Sequence, residues 1–232
     1  EPRRLAKRYI VGNAVFMAHA ARHALECRGA MDKASAAIKR ATDMAIATMA
    51  LVALCPVFLA VALAIRLEDR GPVFFRQTRI GERGRNFSMI KFRSMYTDAE
   101  ARRAALLAHS ERDGTCFKMK NDPRITKVGR FIRRTSIDEL PQLINVLTGE
   151  MSLVGPRPAL PSEVATYVGQ SWRRLGGKPG ITCIWQVSGR AEIPFKRQVA
   201  MDCAYLRRRG LLTDLSLLLR TVPAVATGRG AY

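Results

Sequence analysis

Acidic residues are scarce in this chain. Nineteen Asp and Glu stand against thirty-nine Lys and Arg in 232 residues, a net charge of +20. An imbalance of that size implies an anionic partner, whether nucleic acid, phospholipid headgroups or a phosphorylated substrate, and carries no information about fold. Cysteine is sparse too: Cys27, Cys55, Cys116, Cys183 and Cys203 are odd in number, widely spaced and form no C-x-x-C. That excludes a dense disulfide framework and the usual zinc spacings, and fits a reducing compartment. Of the three histidines, His19 and His23 are four apart on one helical face but lack an acidic neighbour suited to a shared metal. Neither G-x-x-x-x-G-K-[ST] nor G-x-G-x-x-G occurs, so P-loop and dinucleotide readings have no support. Aromatic residues make up 7% of the chain and are not arranged for base stacking, which argues against nucleic acid as a partner. Internal repeats, low-complexity tracts and Ser/Pro linkers are absent as well, so the chain reads as one unit without a linker-joined second domain. The chain opens on Glu1 rather than methionine, as expected of a trimmed or renumbered sequence.

What is present begins with a hydrophobic content of 48%, enough for a real core, and with one long apolar run. From Met44 to Ile65, "MAIATMALVALCPVFLAVALAI", no residue is charged. About 20 apolar residues are enough to span a bilayer. Pro56, almost central, removes a backbone hydrogen bond and bends a helix. Both flanks are basic, with Lys33, Lys39 and Arg40 before and Arg66, Arg70, Arg76 and Arg79 after. Since Lys and Arg favour the cytoplasmic side, symmetric flanks place both ends there. A re-entrant hairpin meets both observations; a straight span and a buried helix remain as alternatives.

Beyond it, "GPVFFRQTRIG" and "RNFSMIKFRSM" read as β-strands parted by the turn "GERGR". Residues 97–109 read as a helix that Thr97 could cap, with Glu100 completing a capping box. The segment from Leu211 is an apolar-biased helix next to Arg207, Arg208 and Arg209, suited to lying on anionic lipid.

Against this basic background "RFIRRTSIDELPQL" sets Asp138 and Glu139 side by side, behind Arg130, Arg133 and Arg134. The segment reads as a helix start, with Pro141 in the first turn, where acids are favoured by the partial positive charge of open N–H groups. Such a pair can serve the helix alone. With guanidiniums nearby it can also form a site for Mg²⁺ and phosphate, the carboxylates holding the metal and arginine the phosphate. Other segments lean the same way. Arg157 stands between two prolines in "LVGPRP", Lys91 and Arg93 share one face of a strand at i and i+2, and Arg190 ends "KPGITCIWQVSGR". A basic, non-catalytic protein that binds nucleic acid or anionic membrane and a lipid-phosphate or nucleotide-sugar hydrolase remain as competing functions.

Taken in order, these segments resemble the bacterial sugar transferase family, the monotopic phosphoglycosyl transferases that act on polyprenol phosphate. The resemblance rests on "CPVFLAVALAIRLEDRGPVFFRQTRIG", "FSMIKFRSM", "DPRITKVGRFIRRTSIDELPQLINVLTGEMSLVGPRP", "KPGITCIWQVSGR" and "GRGAY", and covers roughly residues 38 to 232. It is strongest for the single-domain members that initiate exopolysaccharide synthesis. It implies a helix-rich α/β monotopic membrane protein: a basic helical extension over 1–37, a re-entrant membrane helix hairpin over 38–70, and a compact cytoplasmic catalytic domain with amphipathic interfacial helices over 71–232. It implies transfer of a sugar 1-phosphate from a UDP-sugar to polyprenol (undecaprenyl) phosphate, with release of UMP, at the cytoplasmic face of the bacterial inner membrane. By that resemblance Asp138 is the nucleophile that forms a phospho-sugar aspartyl intermediate, and Glu139 is the Mg²⁺ ligand. Arg133 holds polyprenol phosphate, and Lys91, Arg93, Arg157 and Arg190 bind substrate. Asp202 falls on a family acidic position without an assigned role. Inner-membrane lipids are partners, and the oligomeric state stays open, a homodimer included. Cys55 stands where the family usually has serine before the proline, a lost hydroxyl that could alter how the bend is held.

Overall fold

The computed structural model describes residues 33–106, 122–189 and 192–227. Arg190 and most of the expected N-terminal extension lie outside the described residues.

The apolar run folds as two helices, α1 (Lys33–Ala53) and α2 (Cys55–Asp69), bent by 60° at Leu54. Pro56 in the first turn of α2 withholds an N–H there, and bonding resumes around it: Leu54 N–H donates to Ala50 and Phe58 N–H to Leu54, both at 2.9 Å. Among the described residues no single helix is long and apolar enough to cross a membrane, while this bent pair is so when taken together. Met49, Val52, Leu59 and Leu63 on the pair are all more than half exposed.

The foot of α1 is of another character. Arg40 donates to the carbonyls of Val146 and Leu147, Lys39 pairs with Asp214, and Asp43 accepts the Ser152 hydroxyl at 2.7 Å. This end of the helix is seated in the body by its charges.

The expected hairpin forms from β1 (Phe74–Ile80) and β2 (Asn86–Phe92), antiparallel with Phe74 opposite Phe92 and Ile80 opposite Asn86. Between them Glu82–Gly84 makes a single 3₁₀ turn in which Arg83 and Gly84 both take positive φ. The period of two along β2 sends Phe87 and Met89 into the main core, against Leu143, Val146 and Leu153. Asn145 clamps the hairpin in place, accepting from Ile90 N–H at 3.0 Å and donating to the Ser88 carbonyl at 2.8 Å.

Helix α3 spans Ala99–Leu106, two residues later than Thr97 would have started it, and Asp98 just before it pairs with Arg102 at i+4. Helix α4 (Lys127–Arg134) follows. The carboxylate pair lies on a separate 3₁₀ turn, Ile137–Glu139, and α5 (Gln142–Thr148) begins only after Pro141. The expectation that the pair opens an α-helix is thereby corrected: Ser136 takes a left-handed conformation (φ 56°) that turns the chain before Asp138, and the pair precedes the proline that starts α5.

Strand β3 (Ser152–Val154) pairs in parallel with β4 (Gly180–Thr182), so "GITCIW" is strand for three residues only and then turns. A Cβ on Gly180 would stand 2.0 Å from the Gly155 nitrogen, so only glycine lets the "GPRP" loop close over β4. Helix α6 (Pro161–Val164), a 3₁₀ segment Gly169–Gly176, α7 (Phe195–Arg208) and α8 (Leu211–Thr227) complete the described chain. Helix α8 buries Leu217 and Asp214 and exposes Leu212, Leu215, Leu219 and Val222 along one side.

A separate apolar cluster joins α2 to the body: Val61 and Ile65 pack with Phe92 and Ile132, with Ile137 at its margin. Phe92 lies between Phe58, at a ring-centroid distance of 5.1 Å, and Phe74, at 5.3 Å. Burial of Ile132 is complete, so truncating it to alanine costs about 2–5 kcal/mol.

Candidate active site

A narrow cleft opens where the β-hairpin, the 3₁₀ turn and the "GPRP" loop meet, lined by Arg79, Lys91, Glu139, Gln142, Arg157 and Gln186 among others. Lys91 Nζ donates to Glu139 Oε1 at 2.7 Å. Arg157 lies 5.9 Å from the centroid of the Trp185 ring, and its proline-bounded loop is tied to β1 by Arg79, which donates to the Pro158 carbonyl at 3.1 Å. Its position is therefore fixed from both sides.

The two adjacent acids differ electrically. Burial pushes Asp138 up to about 6; Lys91 opposes that rise, the Glu139 charge adds to it, and Arg133 opposes it. The helix-start expectation, under which open N–H groups keep Asp138 ionised, is overridden by burial in a turn that belongs to no α-helix. Burial also works against ionisation of Glu139, but Lys91 and Arg157, followed by Arg79, outweigh it and hold that carboxylate down to about 2. One acid thus stays charged while its neighbour titrates near neutral pH. Apart from its own backbone N–H, the Asp138 carboxylate has no hydrogen-bond partner among the described residues.

Of the residues expected at the site, the fold gathers Asp138, Glu139, Lys91, Arg133 and Arg157. It does not bring Arg93 to them. Strand β2 ends at Phe92, and the Arg93 guanidinium, 7% exposed, pairs with Asp69 at the end of α2 and donates to the Pro72 carbonyl at 2.6 Å and the Asp69 carbonyl at 3.0 Å. The shared strand face of Lys91 and Arg93 is lost because the strand stops between them. Arg190 lies outside the described residues.

Arg79, Gln142 and Gln186 line the cleft without having been singled out by sequence. A signal existed for one of them: in "PQLINVL" the only polar side chains, Gln142 and Asn145, are also 2% and 1% exposed. A polar side chain in an apolar helical run that ends up buried needs partners, which Asn145 finds on the β-hairpin, while Gln142 lines the cleft.

Behind the cleft sits a second buried acid. Asp202 on α7 accepts from Arg174 Nε at 2.8 Å, and Arg174 donates also to the Tyr167 hydroxyl at 3.0 Å. Burial pushes Asp202 up to about 6 despite that arginine.

No group of three or more His, Cys, Asp or Glu that could hold a metal occurs among the described residues. The site therefore offers two adjacent carboxylates, one taken in part by Lys91. That set does not fit an all-protein cage such as calcium or zinc uses. It does fit Mg²⁺, which keeps its waters and takes one or two carboxylates plus substrate phosphate oxygens.

Comparison with known proteins gives the family. A profile described as "Bacterial sugar transferase" matches residues 34–228. The exopolysaccharide production protein ExoY of Sinorhizobium fredii is 40% identical over 198 residues, covering 84% of this chain and 88% of that protein. ExoY of Rhizobium meliloti is 38% identical over 209 residues, covering 88% and 92%. The undecaprenyl-phosphate galactose phosphotransferase of Salmonella typhimurium is 40% identical over 207 residues, covering 86% of this chain and 43% of that enzyme. The similarity thus spans most of the two ExoY proteins and less than half of the Salmonella enzyme.

Proposed function

The chain belongs to the bacterial sugar transferase family, and on that premise we propose that it is an undecaprenyl-phosphate sugar phosphotransferase. It moves a sugar 1-phosphate from a UDP-sugar to undecaprenyl phosphate and releases UMP, the first membrane step of exopolysaccharide or another surface glycan. The observation that carries this reading is the pairing of an uncommitted buried aspartate, Asp138, with a neighbour, Glu139, held charged by Lys91 and Arg157.

In the first step an Asp138 oxygen attacks the β-phosphorus of the UDP-sugar. The bond from that phosphorus to the bridging oxygen breaks, and UMP leaves with the oxygen and its electron pair. In the second step a phosphate oxygen of undecaprenyl phosphate attacks the same phosphorus, the bond to Asp138 breaks, and the carboxylate returns. Both nucleophiles are oxyanions, so neither attack requires a proton to be removed, and the task left to the protein is positioning and charge neutralisation. Lys91, Arg157 and Arg79 crowd the Glu139 side, where a diphosphate would be neutralised. Arg133, on α4, faces Asp138 from another element and is assigned to the lipid phosphate. Glu139, with Asp138 beside it, would hold Mg²⁺; the ion, when bound, supplies further charge neutralisation at the transferring phosphate. The 60° bend at Leu54 supports a hairpin that enters and leaves the inner membrane by its cytoplasmic face, so that a soluble donor and a lipid acceptor meet at headgroup depth.

The test is nucleotide release from a panel of UDP-sugars by detergent-purified protein with Mg²⁺, with and without undecaprenyl phosphate. UMP formed only with the lipid, and from one preferred sugar, is the expected result. UMP formed equally without lipid would mean a hydrolase, and UDP as product would end the aspartyl mechanism.

A further inference from the structure

Helix α2 ends in two acids, and each is bound to a different part of the catalytic face. Asp69 pairs with Arg93, just past β2. Glu68 reaches the start of α4, where Oε1 accepts the Lys127 N–H at 2.7 Å and Oε2 the Val128 N–H at 3.0 Å. A helix start leaves four N–H groups without intrahelical partners. Here the other two are also met, Thr126 N–H by the Ser94 carbonyl at 3.2 Å and Gly129 N–H by the Thr126 hydroxyl at 2.8 Å. Gly129 lets α4 lie hard against the body, since a Cβ there would stand 2.0 Å from the Ser94 oxygen. Two of the four groups are therefore held by a carboxylate belonging to the bent pair.

Helix α4 is two turns long, so whatever fixes its first turn fixes its last, and the last carries Arg133. Ser136 then turns the chain into Ile137, which touches the α2 cluster, and into Asp138. Asp138 thus has cations on two sides: Arg133 on the helix that α2 grips, and Lys91 next to Glu139, with Arg157 and Arg79 beyond it.

We propose that Glu68 is a positioning residue for the lipid-phosphate half of the reaction: it ties the foot of the bent helix pair to the start of α4 and so sets Arg133 relative to Asp138. The inference rests on the transferase reading above and adds to it a residue that touches neither substrate. A displacement of about 1 Å in such a group can cost up to about a hundredfold in rate.

The full chain is tested in two assays. Exchange of labelled UMP into the UDP-sugar, without lipid, reports donor chemistry at Asp138 alone; turnover against varied undecaprenyl phosphate reports the second half. Glu68→Ala should leave exchange within about twofold and raise the KM for undecaprenyl phosphate about tenfold, with Glu68→Asp in between. Lys127→Pro provides an independent variant that should fold. Thr126 is already extended (ψ 168°), as a residue before proline must be, and proline is tolerated at a first helical position. It deletes one of the two bonds to Glu68 and should raise the same KM by about threefold. Equal losses in both assays, or no change in lipid KM in either variant, would overturn the proposal. Wild-type protein that exchanges UMP into none of the UDP-sugars would instead overturn the transferase reading itself.

Discussion

Asp138 and Asp202 are both buried and both lifted by burial to about 6, yet they are opposites in their surroundings. Asp202 is bound to Arg174, which donates onward to Tyr167 and lies between the rings of Tyr167 and Phe195 at 5.9 and 5.6 Å. Asp138 has arginine and lysine charge nearby and, its own N–H aside, no hydrogen-bond partner among the described residues. The same upward shift therefore accompanies a carboxylate ion-paired to a buried arginine and one without such a bond. A perturbed acid is a candidate for chemistry where it adjoins a cleft and is not held in a structural ion pair.

The largest effect that would break this contrast is at Asp138. Asp138→Asn should lower UMP exchange by about a thousandfold or more. It should also stabilise the fold. The folded value of Asp138 lies above its ordinary 3.8, so the ionised carboxylate costs stability at neutral pH. The cost is absent below about pH 4 and grows as pH rises through about 6, to an upper figure of about 3 kcal/mol. Asparagine removes it, and the unfolding midpoint at pH 7.5 should rise by roughly 5 °C. A loss of stability with activity retained would reverse the assignment.

Asp202→Leu should do the converse. It strands the buried Arg174 charge and should cost about 3–5 kcal/mol in denaturant unfolding, most of it recovered by adding Arg174→Met. If Asp202→Leu instead abolished exchange without a change in stability, Asp202 would be the chemical acid. A smaller and sharper test is pH: exchange should rise about tenfold per unit towards pH 6 and level off above it. Because the Glu139 charge helps raise Asp138, the residual activity of Glu139→Gln should show that midpoint at lower pH. The smallest effect is Tyr167→Phe, which removes one acceptor of Arg174 and should cost about 1 kcal/mol with exchange unchanged.

Elements governed by local chemistry were legible in the sequence. "GERGR" between two β-rich runs gave the hairpin, Pro56 gave the bend, and the proline-bounded Arg157 came to the cleft. What depended on contacts distant in sequence was not. Arg93 reads like Lys91, and only the end of β2 and an acid 24 positions earlier separate their fates. The left-handed Ser136 has no local cause visible in "TSIDE", and it detaches the carboxylates from the helix whose N–H groups would have kept Asp138 charged. Burial raises both acids, and the cations that the fold gathers around Glu139 from segments distant in sequence, Lys91, Arg157 and Arg79, separate the two. Helix α3 starts at Ala99 rather than directly after Thr97, and Asp98 before it pairs with Arg102.

The charged foot of α1 gives the molecule no seam. Lys39, Arg40 and Asp43 meet Asp214, the Val146 and Leu147 carbonyls and the Ser152 hydroxyl inside the body. A catalytic part trimmed free of its apolar helices would bare each of those groups, at about 1–3 kcal/mol apiece where they stay buried. Anyone wanting a detergent-free enzyme should therefore repaint rather than cut, exchanging Met49, Val52, Leu59 and Leu63 for polar side chains on a helix pair left whole.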